Sequence, residues 1–279
     1  MSDWVFEQGR WTTASTATRL RTWVTAGVRS GVRALGYDVH RLPKPAWAND
    51  PWRALPRLLE QARRPVVFDV GANVGQTLER FSRVLPGAHV HSFEPFPASY
   101  EKLAAVAAAR PPARAHRLAL GAEPGEATFH VNPQFHTRNS LLTRPTSGRR
   151  YYSEGAELPD SVTVTVDTLD AFCAREGIER IEVLKLDVQG AELQVLQGGR
   201  GLLVRRAVDI VFSEVMFVPH YEGGPLFHDI HAAMRAQGYS LYHLYDPITA
   251  VNGQLRYANA LFVSDDFRTR VLEAFPPEP

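Results

Sequence analysis

Val66-Val67-Phe68-Asp69-Val70-Gly71-Ala72-Asn73-Val74-Gly75 is the stretch whose reading decides the fold. A short β-branched and aromatic run reads as a buried strand, two glycines mark a tight turn, and Val74 to Val84 continues with helical spacing. The same alternation recurs downstream. Ala88 to Phe93 reads as a strand, Pro97 to Ala109 as a helix, Arg114 to Ala119 as a strand, and Thr128 to Val131 and Val162 to Val166 as further β segments. Asp167 to Arg175 follows as a short helix, Ile181 to Leu186 and Asp209 to Phe212 as strands around a helix from about Gly190, and Gly224 to Ala236 as a helix. This is the pattern of parallel βαβ units, hence an α/β chain with a mostly parallel central sheet. Tyr239 to Tyr245 and Ala258 to Val263 close the chain without a helix between them, which predicts an antiparallel pair at the C-terminal edge.

Upstream, Trp52 to Ala62 is expected to be helical, and Thr18 to Leu35 spaces Leu20, Trp23, Val24, Val28, Val32 and Leu35 as an amphipathic helix among arginines. The proline-rich stretch 41–50 breaks that period. The expected organisation is therefore an N-terminal helical extension and linker over 1–50 and a main domain over 51–279, the helix packing on the core or on a partner.

Composition narrows the class. The 279 residues suit one sizeable core, and 31 basic against 30 acidic side chains leave a net charge of +1, so no global field draws the chain to nucleic acid. One cysteine, Cys173, rules out an internal disulfide and a cysteine zinc cluster, and suits a reducing compartment. The polar start lacks a secretory apolar stretch, and no run is long enough for stable membrane insertion. A cytoplasmic protein is expected, compatible with a homo-oligomer.

The turn at 71–75 presents glycines and a helix N-terminus to a nucleoside-type ligand. Asn73 and Leu78 stand where a dinucleotide fingerprint needs its second and third glycines, so a pyrophosphate is not provided for. Glu94, about twenty residues on, is placed to accept ribose hydroxyls, and Asp69 to meet an ammonium group. A ligand with ribose and an amino-acid tail but no phosphate fits, which points to S-adenosylmethionine.

The sequence resembles the FkbM family of S-adenosylmethionine-dependent methyltransferases. Asp69-Val-Gly-Ala-Asn-Val-Gly75, Phe93-Glu94-Pro95, Val166-Asp167-Thr168-Leu169-Asp170 and Lys185-Leu-Asp187-Val-Gln-Gly190-Ala-Glu192 fall in the family's order. The likeness continues through Ser213-Glu214-Val215, Tyr221-Glu222-Gly223 and Ala260-Leu261-Phe262-Val263, whereas Gln189 stands where the family often has Glu. It implies a Rossmann-like class I methyltransferase fold and O-methylation of a hydroxyl on a small molecule, secondary metabolite or saccharide. Asp69, Gly71, Asn73, Gly75, Glu94 and, in the segment Asn139-Ser140-Leu141, Ser140 are the expected cofactor residues.

Methyl transfer to an alcohol needs positioning and a proton acceptor. Asp187 and Glu214 close two predicted parallel strands, whose carboxyl ends converge on the ligand crevice of open α/β sheets. His220 lies just beyond and is the expected general base, an imidazole that titrates near neutrality. Structural roles compete: Asp187 as a helix cap, Glu214 as an ion-pair partner of Lys185. Lys185 shares a strand face with Asp187 and anchors the site or merely snorkels. The two carboxylates alone do not define a metal site, so a divalent metal stays open; His89 with His91 and His228 with His231 lack a third ligand. The long segment 132–160 carries Arg138, Arg144, Arg149 and Arg150 with Phe135, Tyr151 and Tyr152, and is a candidate for acceptor recognition. Two other readings remain at this stage: a non-catalytic nucleoside-binding partner protein, and a nicotinamide-dependent oxidoreductase.

Overall fold

The computed structural model describes residues 4–7, 10–13, 30–35, 45–132, 139–144, 151 and 160–276. The chain divides into two compact units, Met1–Ala46 and Trp47–Pro279. In the first, strands β1 (Trp4–Glu7) and β2 (Arg10–Thr13) pair antiparallel, a hairpin the periodicity did not announce. Of the helix expected over 18–35, residues 30–34 are helical and 18–29 lie outside the described residues.

The second unit is built on strands β3 (Val66–Val70), β4 (His89–Phe93), β5 (Arg114–His116), β9 (Ile181–Leu186), β10 (Val208–Met216), β11 (Tyr239–Thr249) and β12 (Leu255–Ser264). They form one seven-stranded sheet in the order β11-β12-β10-β9-β3-β4-β5. The pairs from β10 to β5 are parallel, and β12 runs antiparallel to both β10 and β11, as the closing pair of strands predicts. The expected strand 114–119 is split. Its start stays in the main sheet, while β6 (Ala119–Leu120) leaves to pair with β8 (Asp160–Asp167), which also pairs with β7 (Gly125–Val131) in a separate three-stranded sheet.

Side chains alternate faces along a strand, so each central strand feeds two cores. Val67, Val90, Val183, Ile210 and Leu261 face helices α1 (Pro51–Leu58), α2 (Gln76–Val84) and α3 (Pro97–Ala108) through Leu55, Phe81 and Leu103. Phe68, Phe93, Leu184, Val211 and Phe262 face α4 (Leu169–Glu176), α5 (Glu192–Gly198), α6 (Arg200–Val204) and α7 (Phe227–Ala236) through Phe172, Val195, Leu203 and Met234. Local signals set the helix ends. Asp50 accepts from the Trp52 amide at 2.9 Å to start α1, and Thr168 accepts from Ala171 at 3.1 Å to start α4, which Gly177 ends at φ +67°. Among the described residues no helix is long and apolar enough to cross a membrane.

Phe172 ties the second core together, meeting Phe68, Phe93 and His116 edge-on at 5.7, 4.8 and 4.9 Å between ring centroids. Phe172→Ala is expected to cost about 3–5 kcal/mol in urea unfolding, since the cavity cannot collapse between fixed strands. Val251→Ala, at a fully exposed tip, should stay within about 0.5 kcal/mol of the parent.

Candidate active site

The parallel strands β3, β4 and β9 end side by side, and their following loops enclose a cavity of roughly 820 Å³, open mouth included. Gly71, Asn73, Glu94, Asn139, Lys185, Asp187 and Gln189 supply its polar walls, and Val70, Phe93, Leu120, Phe129 and Leu141 its apolar ones. The glycine turn is drawn tight by the Gly71 and Ala72 amides, which both donate to the Phe93 carbonyl at 3.1 and 3.0 Å. Gly71 has φ +78°, and a Cβ there would lie 1.9 Å from the Asp187 carbonyl oxygen, so no other residue fits. Asn73 also adopts a left-handed conformation, φ +47°, a region asparagine tolerates.

Glu94 closes β4 with each carboxyl oxygen already held, Oε2 by the Asn73 amide at 3.0 Å and Oε1 by the Phe96 amide at 2.9 Å. Each oxygen keeps a second lone pair. Burial pushes this carboxyl up to about 7 against the pull of the two amides. Beneath the turn, Asp69 is fully buried and does not line the cavity; the ammonium it meets is the chain's own, Lys185 Nζ at 3.1 Å. Lys185 also lies 3.5 Å from Asp187. Burial alone would lower Lys185, but Asp69 and Asp187 outweigh it and hold the amine above its ordinary value.

The wall around Asp187 is organised by Gln189, in the left-handed region at φ +57°. Its side-chain amide donates to Asp187 Oδ1 at 2.7 Å and to Glu214 Oε2 at 3.0 Å, while its own oxygen accepts a short bond from the Tyr221 hydroxyl. Arg144 in turn donates to that hydroxyl at 2.9 Å. Gly190 makes room, since a Cβ there would strike the Tyr221 ring at 2.8 Å. Glu192 folds back to accept from the Val188 and Gly190 amides at 3.1 and 3.0 Å, fixing the loop. Burial and the neighbouring Asp187 and Glu192 push Glu214 well above the ordinary carboxyl range.

Several expected residues take other places. Asp187 lines the cavity and does not cap α5, whose N-cap is Ala191. Glu214 is bonded to Gln189 rather than to Lys185 and stands behind the cavity wall. Gly75 lines no part of the cavity; it caps α2 at φ +98°, where a Cβ would press on Val106 at 3.1 Å. Ser140 is buried away from the cavity, donating to the Gln189 carbonyl at 2.6 Å and accepting from Leu142 at 2.9 Å; its neighbour Asn139 lines the wall instead. His220 is buried outside the lining with both ring nitrogens engaged, Nδ1 by the Val218 carbonyl at 3.0 Å and Nε2 by Arg256 at 3.3 Å. Among the described residues, no group of three or more acidic, histidine or cysteine side chains is arranged to hold a metal ion. His91 stacks on His116, Nδ1 to Nε2 3.2 Å, and burial pushes both down to about 4. In the segment 132–160, Phe135, Arg138, Arg149, Arg150 and Tyr152 fall outside the described residues.

The walls suit an adenosyl amino-acid ligand. Asn73 Oδ1 and Asn139 Nδ2, an acceptor and a donor on residues of the wall, are buried with no hydrogen-bond partner among the described residues. Buried polar atoms left this way cost roughly 1–3 kcal/mol each, which a ligand with its own donors and acceptors offsets. Fold and site together define a class I methyltransferase that uses S-adenosylmethionine. Residues 69–241 match the Methyltransferase FkbM domain, and the chain belongs to that family. A relative, the 31-O-demethyl-FK506 methyltransferase FkbM of Streptomyces tacrolimicus, is 31% identical over 204 residues, 66% of this chain and 76% of that protein. The 2-O-methyltransferase NoeI of Sinorhizobium fredii (strain NBRC 101917 / NGR234) is 26% identical over 185 residues, 64% of this chain and 74% of its own. Magnesium protoporphyrin IX methyltransferase from Synechocystis PCC 6803, solved with its donor bound, superimposes with a TM-score of 0.39 at 9% identity, covering 90% of this chain and 98% of that one. The family match sets aside the nicotinamide and non-catalytic readings.

Lys185→Met, which strands Asp69 in the interior, is expected to destabilise the protein by about 3–5 kcal/mol. The double variant Lys185→Met/Asp69→Asn should recover most of that loss in urea unfolding. Additive losses would show that the two groups do not stabilise each other.

Proposed function

We propose that the enzyme transfers a methyl group to a hydroxyl oxygen of a small molecule, secondary metabolite or saccharide, and that residues 51–279 form its catalytic domain with 1–50 as an extension. The observation that carries this reading is the Gln189 amide, which holds the Asp187 carboxyl group in the wall of the same cavity that Asn73 and Glu94 line, with Glu214 on its other N–H. Both relatives described above are named as O-methyltransferases or act at a position named as an O-demethyl site, which supports oxygen as the acceptor atom.

When bound, S-adenosylmethionine supplies an electrophilic methyl on a sulfonium. Glu94 offers its two remaining lone pairs to the ribose hydroxyls, and the orphaned Asn73 and Asn139 atoms take donors and acceptors of the same ligand. Asp187, its side chain 41% exposed at the cavity wall, receives the proton of the acceptor hydroxyl as the oxygen attacks. Gln189 fixes the orientation of that carboxylate with one N–H, and Lys185 at 3.5 Å offsets its charge. Burial and the neighbouring Asp187 raise Glu214 and disfavour a second negative charge beside the first. His220, with Nε2 already accepting from Arg256, serves this proton transfer less well than Asp187.

An ionised Glu94 is the better acceptor for ribose hydroxyls, so donor affinity should rise as pH increases through about 7 and level off above it. In calorimetric titration, Glu94→Gln should weaken S-adenosylmethionine binding by about 10- to 100-fold and flatten that pH dependence. Unchanged affinity would remove Glu94 from the donor site. Asp187→Asn should slow methyl transfer by about 100-fold or more with donor affinity retained. Mass spectrometry with a deuterated methyl donor places the label on the acceptor, and a label on nitrogen or carbon would overturn the hydroxyl assignment.

A further inference from the structure

Beyond Gln189 the polar network does not end; it runs outward into a group of cations. Arg144 rests on the Tyr221 ring, its guanidinium carbon 4.7 Å from the centroid, while donating to the Tyr221 hydroxyl. His220, beside Tyr221 in the chain, has two charged neighbours acting on it, Arg256 and Arg144, and both are guanidiniums. His220 is neutral by its hydrogen bonds. Its Nδ1–H donates to the Val218 carbonyl, so Nε2 is the acceptor facing Arg256 Nη2 at 3.3 Å.

Arg256, at the start of β12, has no carboxylate partner among the described residues. Its guanidinium carbon lies 5.6 Å from the Tyr257 ring centroid, and its Nε is buried with no hydrogen-bond partner among the described residues. The nearest acid in sequence to His220 is turned elsewhere, since Glu222 accepts from the Thr143 hydroxyl at 3.1 Å. Tyr151, a described residue of the segment singled out for acceptor recognition, donates to Gln254 at 2.9 Å, the residue just before this strand. The arrangement is a half-buried cation beside a neutral imidazole and a second cation, joined to the cavity wall through the hydrogen bonds of Arg144 to Tyr221 and of Tyr221 to Gln189. Holding such charge with an unfilled donor is costly unless an anion completes it. Guanidinium N–H groups match the planar oxygens of a carboxylate or the tetrahedral oxygens of a phosphate or sulfate.

We propose that Arg256, with Arg144 and His220, forms a subsite for an oxyanion substituent of the methyl acceptor, so that the substrate is a hydroxylated molecule that also carries a carboxylate or a phosphate or sulfate ester. This rests on the hydroxyl-acceptor reading and adds its charge. The anion anchors the molecule at Arg256 while its hydroxyl turns back toward Asp187, so the subsite selects substrate rather than taking part in methyl transfer.

The test is an NMR titration of the full chain, ¹⁵N-labelled and saturated with S-adenosylhomocysteine. The Arg256 Nε–Hε signal is identified as the one missing from Arg256→Gln. Sodium acetate and inorganic phosphate are added separately, against sodium chloride at matched ionic strength. A saturable shift of that signal is expected with at least one oxyanion and not with chloride, and about tenfold weaker in Arg144→Gln. Saturation by acetate alone assigns a carboxylate and by phosphate alone a phosphate or sulfate ester. No saturable shift with either, or the same shift with chloride, overturns the subsite. S-adenosylhomocysteine affinity measured on the same samples should be unchanged in Arg256→Gln, which shows that the variant is folded; a lost affinity places Arg256 in the donor site and also overturns the proposal. No methyl transfer enters this readout, so its failure is separate from a failure of the hydroxyl assignment, which the labelled product decides.

Discussion

A buried ion pair underlies the whole site. Asp69 and Lys185 sit on neighbouring parallel strands, opposite each other in register, and meet at 3.1 Å beneath the turn that begins at Gly71. An isolated carboxylate or ammonium there would be untenable, so each requires the other and the strands carrying them must align in this register. That alignment brings the Asp187 carbonyl so close to Gly71 that a single methyl group would not fit, and it sends the loops after β3, β4 and β9 around one cavity.

The site then separates two kinds of carboxyl group by environment. Glu94 is buried but gripped by two backbone amides, which fix its oxygens and leave lone pairs for a ligand. Asp187 and Glu214 are gathered by one side-chain amide, and the pair differs in accessibility: Asp187 reaches the cavity, Glu214 stands behind it and is pushed upward by its neighbour. An amide at position 189 gives both groups a donor. A third carboxylate in its place would bring repulsion instead of hydrogen bonds, and the backbone conformation of Gln189, anchored by Ser140, keeps the bridge from swinging away.

Much of this was legible in advance. The βα alternation and the terminal pair of strands predicted the sheet, because burial on both faces and the 2.0 and 3.6 residue periods leave direct marks on a sequence. Gly71, Asn73, Glu94 and Asp187 all line the cavity, and they stand out in the sequence because strand ends and tight turns restrict which residues stand there. Asn139 lines the cavity where the sequence drew attention to Ser140, one position away, since nothing local tells which of two adjacent polar side chains turns to a cavity and which bonds across to residue 189. The pairing of His91 with His116 and the splitting of β5 from β6 were likewise invisible, being decided by which strand each segment meets.

By itself the sequence determined the class of fold, the order of the main sheet's strands and helices along the chain, and several strand-end residues that line the cavity, since these follow from periodicity, turn chemistry and short motifs along the chain. What tertiary structure alone decided were the partners: Asp69 with Lys185, Glu214 with Gln189 rather than Lys185, His220 with Arg256. Those groups lie between 25 and 116 residues apart in the chain, and a side chain's partner across such a separation is set by strand order, register and burial, none of which is written at the residue itself.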